Sequence, residues 1–214
     1  MYKHLLNQYN IIPKGIIHIG AHIGEEIEHY IDIGCKKLIY IEANPEVMAE
    51  LTDNVSRHLN KIDVKVYNYA ITKENGAYPF FVTDNKMSSS LLELGTHQKH
   101  YPTVHFEKII RVNGITFNNF IEKEIINIFD YNILILDVQG TELDILKSAD
   151  KYLYNFDLIV SEISREEVYK GCCLQKDIEE YLEQCEFKML DYFENKNKVN
   201  DDEYFIRSNY ASRI

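Results

Sequence analysis

Two short runs in this chain contain no polar residue, Ile133-Leu134-Ile135-Leu136 and Leu158-Ile159-Val160. Strands of that kind are buried on both faces, which in a globular domain means a parallel sheet with helices packed on either side. The remaining sequence supplies the alternation such a sheet needs. Gly15–Ile19 reads as a strand, Glu25–Ile33 as a helix with Ile27, Tyr30 and Ile31 on one face, and Lys37–Ile41 as a second strand. Pro45 opens the next helix, where its missing N–H costs nothing, and Val47, Leu51 and Val55 follow along one face. Val64–Ile71 is a third strand; Gly76 marks a turn before Tyr78–Val82, which extends the sheet or forms a small appendage. The pattern continues with a strand at Ile109–Val112, a helix at Phe117–Ile126, the buried strand Ile133–Asp137 and a helix at Thr141–Ala149. Phe156–Val160 is the second buried strand, Gln175–Cys185 a helix, and Phe187–Leu190 and Glu203–Ile206 are closing strands. The expected fold is a doubly wound, Rossmann-like α/β sheet, mostly parallel.

No repeat, low-complexity tract or linker divides the 214 residues, so one domain is expected, with its core at about 15–207. The apolar runs are far below the roughly 18 residues that cross a bilayer, and no membrane partner is expected. Met1 to Asn10 shows no basic stretch followed by an apolar one, so no secretory signal is read and a cytoplasmic address is expected. The four cysteines form no C-x-x-C pair and read as reduced thiols. Thirty-four acidic against 23 basic residues give a formal charge of −11, which repels phosphate backbones and argues against a nucleic-acid partner. The Lys/Asn-rich segment Glu194–Asn200 reads as a solvated loop. Thr83–His105 is long for a connection and weakly periodic, and is expected to cover a site.

The sharpest local signal is Ile16-Ile17-His18-Ile19-Gly20-Ala21-His22-Ile23-Gly24-Glu25-Glu26, a strand running through small residues into a helix. Gly20 permits the tight turn, Ala21 lets backbone approach a ligand, and Gly24 lets the helix pack close to the strand. Glu42 ends the second strand about 20 residues beyond Gly20, where an acid accepts both ribose hydroxyls of a nucleoside. A dinucleotide does not fit. G-x-G-x-x-G from Gly20 would need glycine where His22 and Glu25 stand, and Glu25 with Glu26 puts two carboxylates where a pyrophosphate would sit. S-adenosylmethionine has no phosphate, and its amino group and sulfonium are positive.

Asp137 leaves the Ile133 strand beside the first strand, at the switch-point crevice of such a sheet, and Glu162 follows the next buried strand. Two neighbouring carboxylates can do acid–base work, and proximity raises the pKa of one of them. Asp137 can bind an ammonium, orient an acceptor hydroxyl or take its proton. His97, His100 and His105 lack the helical i, i+4 pairing of zinc motifs, and no metal site is assigned; a divalent ion bridging Asp137 and Glu162 is an open alternative.

With these residues assembled, the chain resembles the FkbM family of S-adenosylmethionine-dependent methyltransferases from about Gly15 to Arg207. The blocks are His18–Glu26, Ile41-Glu42-Ala43-Asn44-Pro45, Ser88-Ser89-Ser90-Leu91-Leu92, Leu136-Asp137-Val138-Gln139-Gly140-Thr141-Glu142, and Ser161-Glu162-Ile163 with Tyr169-Lys170-Gly171-Cys172. The resemblance implies a class I methyltransferase fold, a seven-stranded sheet whose last strand is antiparallel, and O-methylation of a sugar, glycan or other small hydroxyl acceptor. Carried over, the cofactor positions are Gly20, Ala21, His22, Gly24, Glu42, Ala43 and Asn44, with Asn68 and Ala70 near adenine, and the reading of the residues themselves adds Glu25 and Asp137. The catalytic pair is Asp137 and Glu162, and the acceptor positions are Ser88, Ser89, Ser90, Glu142 and Tyr169, aided by His97, His100 or His105. The chain lacks tryptophan and has Val199–Tyr204 where the family usually shows Trp-Gly-Asp. That departure leaves a second reading, a cofactor-binding or scaffolding module without turnover.

Overall fold

The structure is a computed structural model and describes residues 2–190 and 198–211. The first elements are helix α1 (Tyr2–Gln8), strand β1 (Gly15–Ile19), α2 (Ile27–Asp32), β2 (Lys37–Glu42), α3 (Met48–Ser56), β3 (Asp63–Asn68), β4 (Ala70–Ile71) and β5 (Gly76–Thr83). There follow α4 (His97–His100), β6 (Phe106–Ile115), α5 (Phe117–Lys123), β7 (Ile133–Leu136), α6 (Glu142–Ser148) and β8 (Leu158–Ser164). The chain closes with α7 (Gln175–Gln184), β9 (Phe187–Leu190), β10 (Asn200–Arg207) and α8 (Ser208–Ala211).

Seven strands form one sheet in the order β3-β2-β1-β7-β8-β10-β9. The ladders through β3, β2, β1, β7 and β8 are parallel, and β10 runs antiparallel to both its neighbours. This is the doubly wound sheet the sequence predicts, with the antiparallel last strand that the family resemblance implies. Alternation along each strand divides the core. Ile17, Ile19, Ile39, Leu134, Leu136 and Ile159 face α5, α6 and α7 through Phe117, Phe120, Ile145, Leu146, Ile178 and Leu182. Ile16, Leu38, Tyr40, Ile133, Ile135 and Val160 face α1, α2 and α3 through Leu5, Leu6, Ile27, Tyr30, Leu51 and Val55. Truncating a fully buried member such as Leu134 to alanine costs about 2–5 kcal/mol in a core of this kind.

Register places the chemistry. Ile19 lies opposite Ile41 on one side and Leu136 on the other, and Leu136 lies opposite Ser161. The next residues, Gly20, Glu42, Asp137 and Glu162, therefore form a row along the carboxyl edge of four adjacent parallel strands.

The structure differs from the sequence reading at three places among the described residues. The expected strand Val64–Ile71 is two strands, because Asn68 Nδ2 donates to the carbonyls of Glu42 (2.8 Å) and Ala43 (3.2 Å) and ends the main-sheet ladder. One residue later Ala70 and Ile71 pair with Gly114 and Ile115 in a second sheet ordered β4-β6-β5, the appendage to which Tyr78–Val82 and Ile109–Val112 belong. The expected helix Phe117–Ile126 stops at Lys123, two residues before Ile125, whose φ of 51° is incompatible with a continuing right-handed helix. Helix α1 had no periodic signal, yet Leu5 and Leu6 are buried against the sheet. Of the expected loop Glu194–Asn200, residues 194–197 lie outside the described residues, and Asn200 opens β10. Among the described residues no helix is long and apolar enough to cross a membrane, and the four cysteines are free thiols.

Candidate active site

A cavity of about 340 Å³ opens at the carboxyl edge of the sheet. Its position is the switch point, where β1 is flanked by β2 on one side and β7 on the other. The floor is the row Gly20, Glu42, Asp137 and Glu162. The roof is the small sheet, through Ala70, Ile71 and Phe80, together with Asn85–Ser89, Leu91, His97, Tyr101 and Val104 from the long connection. That connection is tied down by isolated bridges between Phe81 and Ser90 and between Leu94 and Tyr169.

The turn after β1 is backbone chemistry. Gly20 has φ of 87° and donates its N–H to Ile41 O at 2.9 Å; a Cβ there would lie 1.7 Å from the carbonyl oxygen of Asp137. No larger residue allows the two strand ends to approach this closely. Gly24 has φ of 75°, and a Cβ there would meet Leu51 Cδ1 at 2.9 Å, so its role is to seat the turn on α3. Glu42 is 7% exposed, and its two oxygens accept from the backbone N–H of His22 (2.8 Å, to Oε2) and Asn44 (2.6 Å, to Oε1). Burial pushes the Glu42 carboxyl up while these two N–H groups hold it down. Each oxygen keeps a further lone pair, so the side chain can still accept two hydroxyls from the cavity. His22 also bonds through Nδ1 to Glu25 Oε1 at 2.8 Å.

Side chains build the other end. Asp137 is half-buried just past β7, and desolvation, with the negative Asp202, Glu142 and Glu26 nearby, pushes its pKa up to about 7 against the opposing Gln139 hydrogen bond. Glu162 is raised well above the carboxylate range, first by burial and then by Asp137. Gln139 joins them: its Nε2 donates to Asp137 Oδ1 at 2.6 Å and to Glu162 Oε2 at 2.8 Å. The Tyr169 hydroxyl lies 2.6 Å from Gln139 Oε1 and 3.1 Å from Ser88 O. It thereby fixes which face of the amide meets the acids. Asn200 Nδ2 donates to Glu162 Oε1 at 2.7 Å, and the Tyr101 hydroxyl donates to Asn200 Oδ1.

Most of the residues singled out from sequence therefore meet in one place. Gly20, Ala21, His22, Glu25, Glu42, Ala43, Ala70, Ser88, Ser89, Asp137 and Glu162 all line the cavity. Gly24, Asn44, Asn68, Ser90, Glu142 and Tyr169 stand behind its wall. Asn44 holds the β2 turn through its N–H to Glu42, and Asn68 clamps the end of β3. Ser90 Oγ donates to Gln139 O at 2.8 Å, bracing the loop it was expected to open to an acceptor. Glu142, expected to touch an acceptor, instead accepts the backbone N–H groups of Gly140 (3.0 Å) and Val138 (3.2 Å) and shapes the turn that carries Asp137. Tyr169 reaches the site through Gln139. Of the three loop histidines His97 lines the cavity, whereas His100 pairs with Glu166 and His105 lies against Gln98. Among the described residues no group of three or more His, Cys, Asp or Glu is disposed to hold a metal ion, and the amide of Gln139 bridges Asp137 and Glu162 where a divalent ion was the alternative.

Sequence reasoning gave no role to Gln139, Tyr101 or Asn200. Gln139 sits inside the Asp137–Glu142 block with a left-handed φ of 62°, a conformation that a string of letters does not display. Asn200 reaches Glu162 because β10 pairs Asn200 with Ser164 and Asp202 with Glu162, a long-range register.

Residues 18–189 match the family described as the Methyltransferase FkbM domain. The chain belongs to the FkbM methyltransferase family. It is 23% identical over 165 residues to the 2-O-methyltransferase NoeI of Sinorhizobium fredii (strain NBRC 101917 / NGR234), an alignment covering 73% of this chain and 65% of NoeI. The crystal structure of Methyltransferase FkbM from Methylobacillus flagellatus KT superposes with a TM-score of 0.56 at 12% identity, covering 90% of this chain and 43% of that one. This FkbM-family chain thus spans less than two thirds of the length of both relatives. Magnesium protoporphyrin IX methyltransferase (ChlM) from Synechocystis PCC 6803 with bound SAM superposes with a TM-score of 0.53 at 10% identity, covering 97% of this chain and 76% of ChlM. These likenesses establish the fold as that of class I methyltransferases.

Proposed function

We propose that this FkbM-family protein is an S-adenosylmethionine-dependent methyltransferase that methylates a hydroxyl oxygen of a sugar, glycan or other small acceptor. The observation that carries the reading is the Asp137–Gln139–Glu162 bridge opening on the same cavity as the Gly20 turn and Glu42. NoeI, named as a 2-O-methyltransferase, supports oxygen as the acceptor atom.

The residues present suit a cationic nucleoside cofactor. Glu42 would take the ribose hydroxyls, and Ala43, Ala70 and Phe80 would flank the base with apolar surface. Glu26 Oε2 is buried without a hydrogen-bond partner beside the turn, an acceptor available to an ammonium. S-adenosylmethionine supplies, when bound, an electrophilic methyl group on a positively charged sulfur.

The chain's own contribution is position and proton transfer. Asp137 and Glu162 repel each other's negative charge, so the pair keeps a proton near neutrality that two separate carboxyls would lose. Asp137, poised near 7, accepts the acceptor hydroxyl's proton, while Glu162 remains fixed by Asn200 and Gln139. The apolar part of the roof, Ala70, Ile71, Phe80, Leu91 and Val104, would limit the water that competes with the hydroxyl.

Calorimetric titration with S-adenosylmethionine and S-adenosylhomocysteine, beside NAD and repeated on Glu42→Ala, tests this reading. Saturable binding of the first two, weakened in Glu42→Ala and absent for NAD, is expected. No binding of either would overturn the cofactor assignment and the catalytic roles with it.

A further inference from the structure

Resting on the acceptor reading above, we propose that the acceptor is a polyhydroxylated molecule bearing a protonated amine near the methylated hydroxyl and no anionic group. It is held at the end of the cavity formed by His97, Tyr101, Glu162 and Asn200.

Charge is the first ground. Five carboxylates line the cavity, those of Glu25, Glu26, Glu42, Asp137 and Glu162. Lys86 is the one lysine or arginine among the lining residues, and its ammonium is engaged by Glu107 Oε2 at 2.6 Å and Glu46 Oε2 at 3.4 Å. Neither of those acids lines the cavity, so the lysine is drawn away from it. Among the described residues, a phosphate or carboxylate on the acceptor would meet like charge with no free lining cation to receive it.

The second ground is the partner set of Glu162. This half-buried carboxyl is met by two neutral donors, Asn200 Nδ2 at 2.7 Å and Gln139 Nε2 at 2.8 Å, with the acid Asp137 beyond. Holding one proton near neutrality, the Asp137–Glu162 pair still carries one negative charge, and no cation among the described lining residues faces it. The cofactor brings one cationic centre, but Glu162 stands on β8, two strands beyond β1 and three beyond the Glu42 of β2. An ammonium on the acceptor compensates it there.

His97 supplies the third, independent ground. It is 2% exposed, lines the cavity, and its Nδ1 is buried without a hydrogen-bond partner. Burial lowers its proton affinity, so it is a neutral imidazole able to serve a hydroxyl. Its ring is held between Tyr101 at 4.9 Å and Tyr169 at 5.3 Å, centroid to centroid. Tyr101 is 37% exposed and offers a ring at the mouth against which the C–H face of a polyol can pack.

The test titrates glucosamine, glucose, glucuronate and glucose 6-phosphate into the protein, with and without S-adenosylhomocysteine, and follows binding by saturation-transfer NMR at low and high salt. Glucosamine is expected to bind about tenfold more tightly than glucose, the difference one charged hydrogen bond makes. The two anionic sugars should not bind, Glu162→Gln should abolish the advantage of glucosamine over glucose, and His97→Phe should weaken both. Equal affinity for glucose and glucosamine, binding of either anionic sugar as tight as glucosamine, or silence from all four overturns the proposal. If Glu162→Gln does not fold, the ranking on the unaltered protein decides. Failure to bind S-adenosylhomocysteine speaks against the methyltransferase reading alone, because the sugar ranking is read without it as well.

Discussion

The two ends of the cavity are built by different means. At the Gly20 end a left-handed glycine and two backbone N–H groups hold one acid, Glu42, and nearly every part comes from two adjacent βα turns. At the Glu162 end the parts are side chains from β8, β10, the turn after β7, the long connection and the segment carrying Tyr169, and they hold one another. A backbone-built end tolerates side-chain change except where glycine or Glu42 is touched. A side-chain network fails or retunes one residue at a time, which suits the end proposed to recognise an acceptor.

Substitutions can break this contrast. The largest effect is expected from Asp137→Asn, which removes the proton acceptor and keeps its shape: turnover should fall about 10²–10⁴-fold while S-adenosylhomocysteine affinity stays within about threefold. Equal loss of both would move Asp137 to the cofactor end. Glu42→Ala should reverse the pattern, weakening cofactor affinity about 10–100-fold by calorimetry, with Glu42→Gln milder because it keeps an acceptor oxygen.

Protons give the next test. Asp137 is raised in the folded protein to about 7 from an unfolded value near 3.8. The native state therefore holds a proton that the unfolded chain has lost between those pH values. With respect to this group, stability should be fully present below about pH 4 and be lost as pH rises from there through 7, by on the order of 4 kcal/mol. Asp137→Asn should flatten that slope in denaturant titrations across the range; an unchanged slope would remove the shift from Asp137. The smallest effect belongs to Tyr169→Phe. Freed from the hydroxyl, the Gln139 amide can turn its oxygen toward the acids, and the pH midpoint of kcat/KM should move upward while cofactor affinity is retained. A uniform loss of rate with no shift in midpoint would make Tyr169 a packing residue only.

How much was legible follows the same division. The parallel sheet could be read because Ile133–Leu136 and Leu158–Val160 admit no polar face, and the Gly20 turn because glycine spacing is a local property. Glu42, Asp137 and Glu162 could be read as strand-end acids, since strands of known order carry such residues to one edge. The break between β3 and β4 was not legible, because Asn68 ends the ladder by bonding to residues of another strand. Nor could Glu142 and Ser90 be told from acceptor-binding groups, since a buried acid and a hydroxyl look alike in sequence whether they face a ligand or backbone N–H groups.

By itself, then, the sequence determined the layered α/β fold, the glycine turn and the line of acids, because hydrophobic period and backbone conformation are encoded within a few neighbouring residues. Only the tertiary structure decided that Gln139 joins Asp137 to Glu162, that Asn200 and Tyr101 complete the chain, and that His97 is the histidine facing the cavity. The contacts between elements depend on strand register and loop path across separations of 23 to 99 residues, and hydrogen bonds at such separation exist only after the sheet has formed.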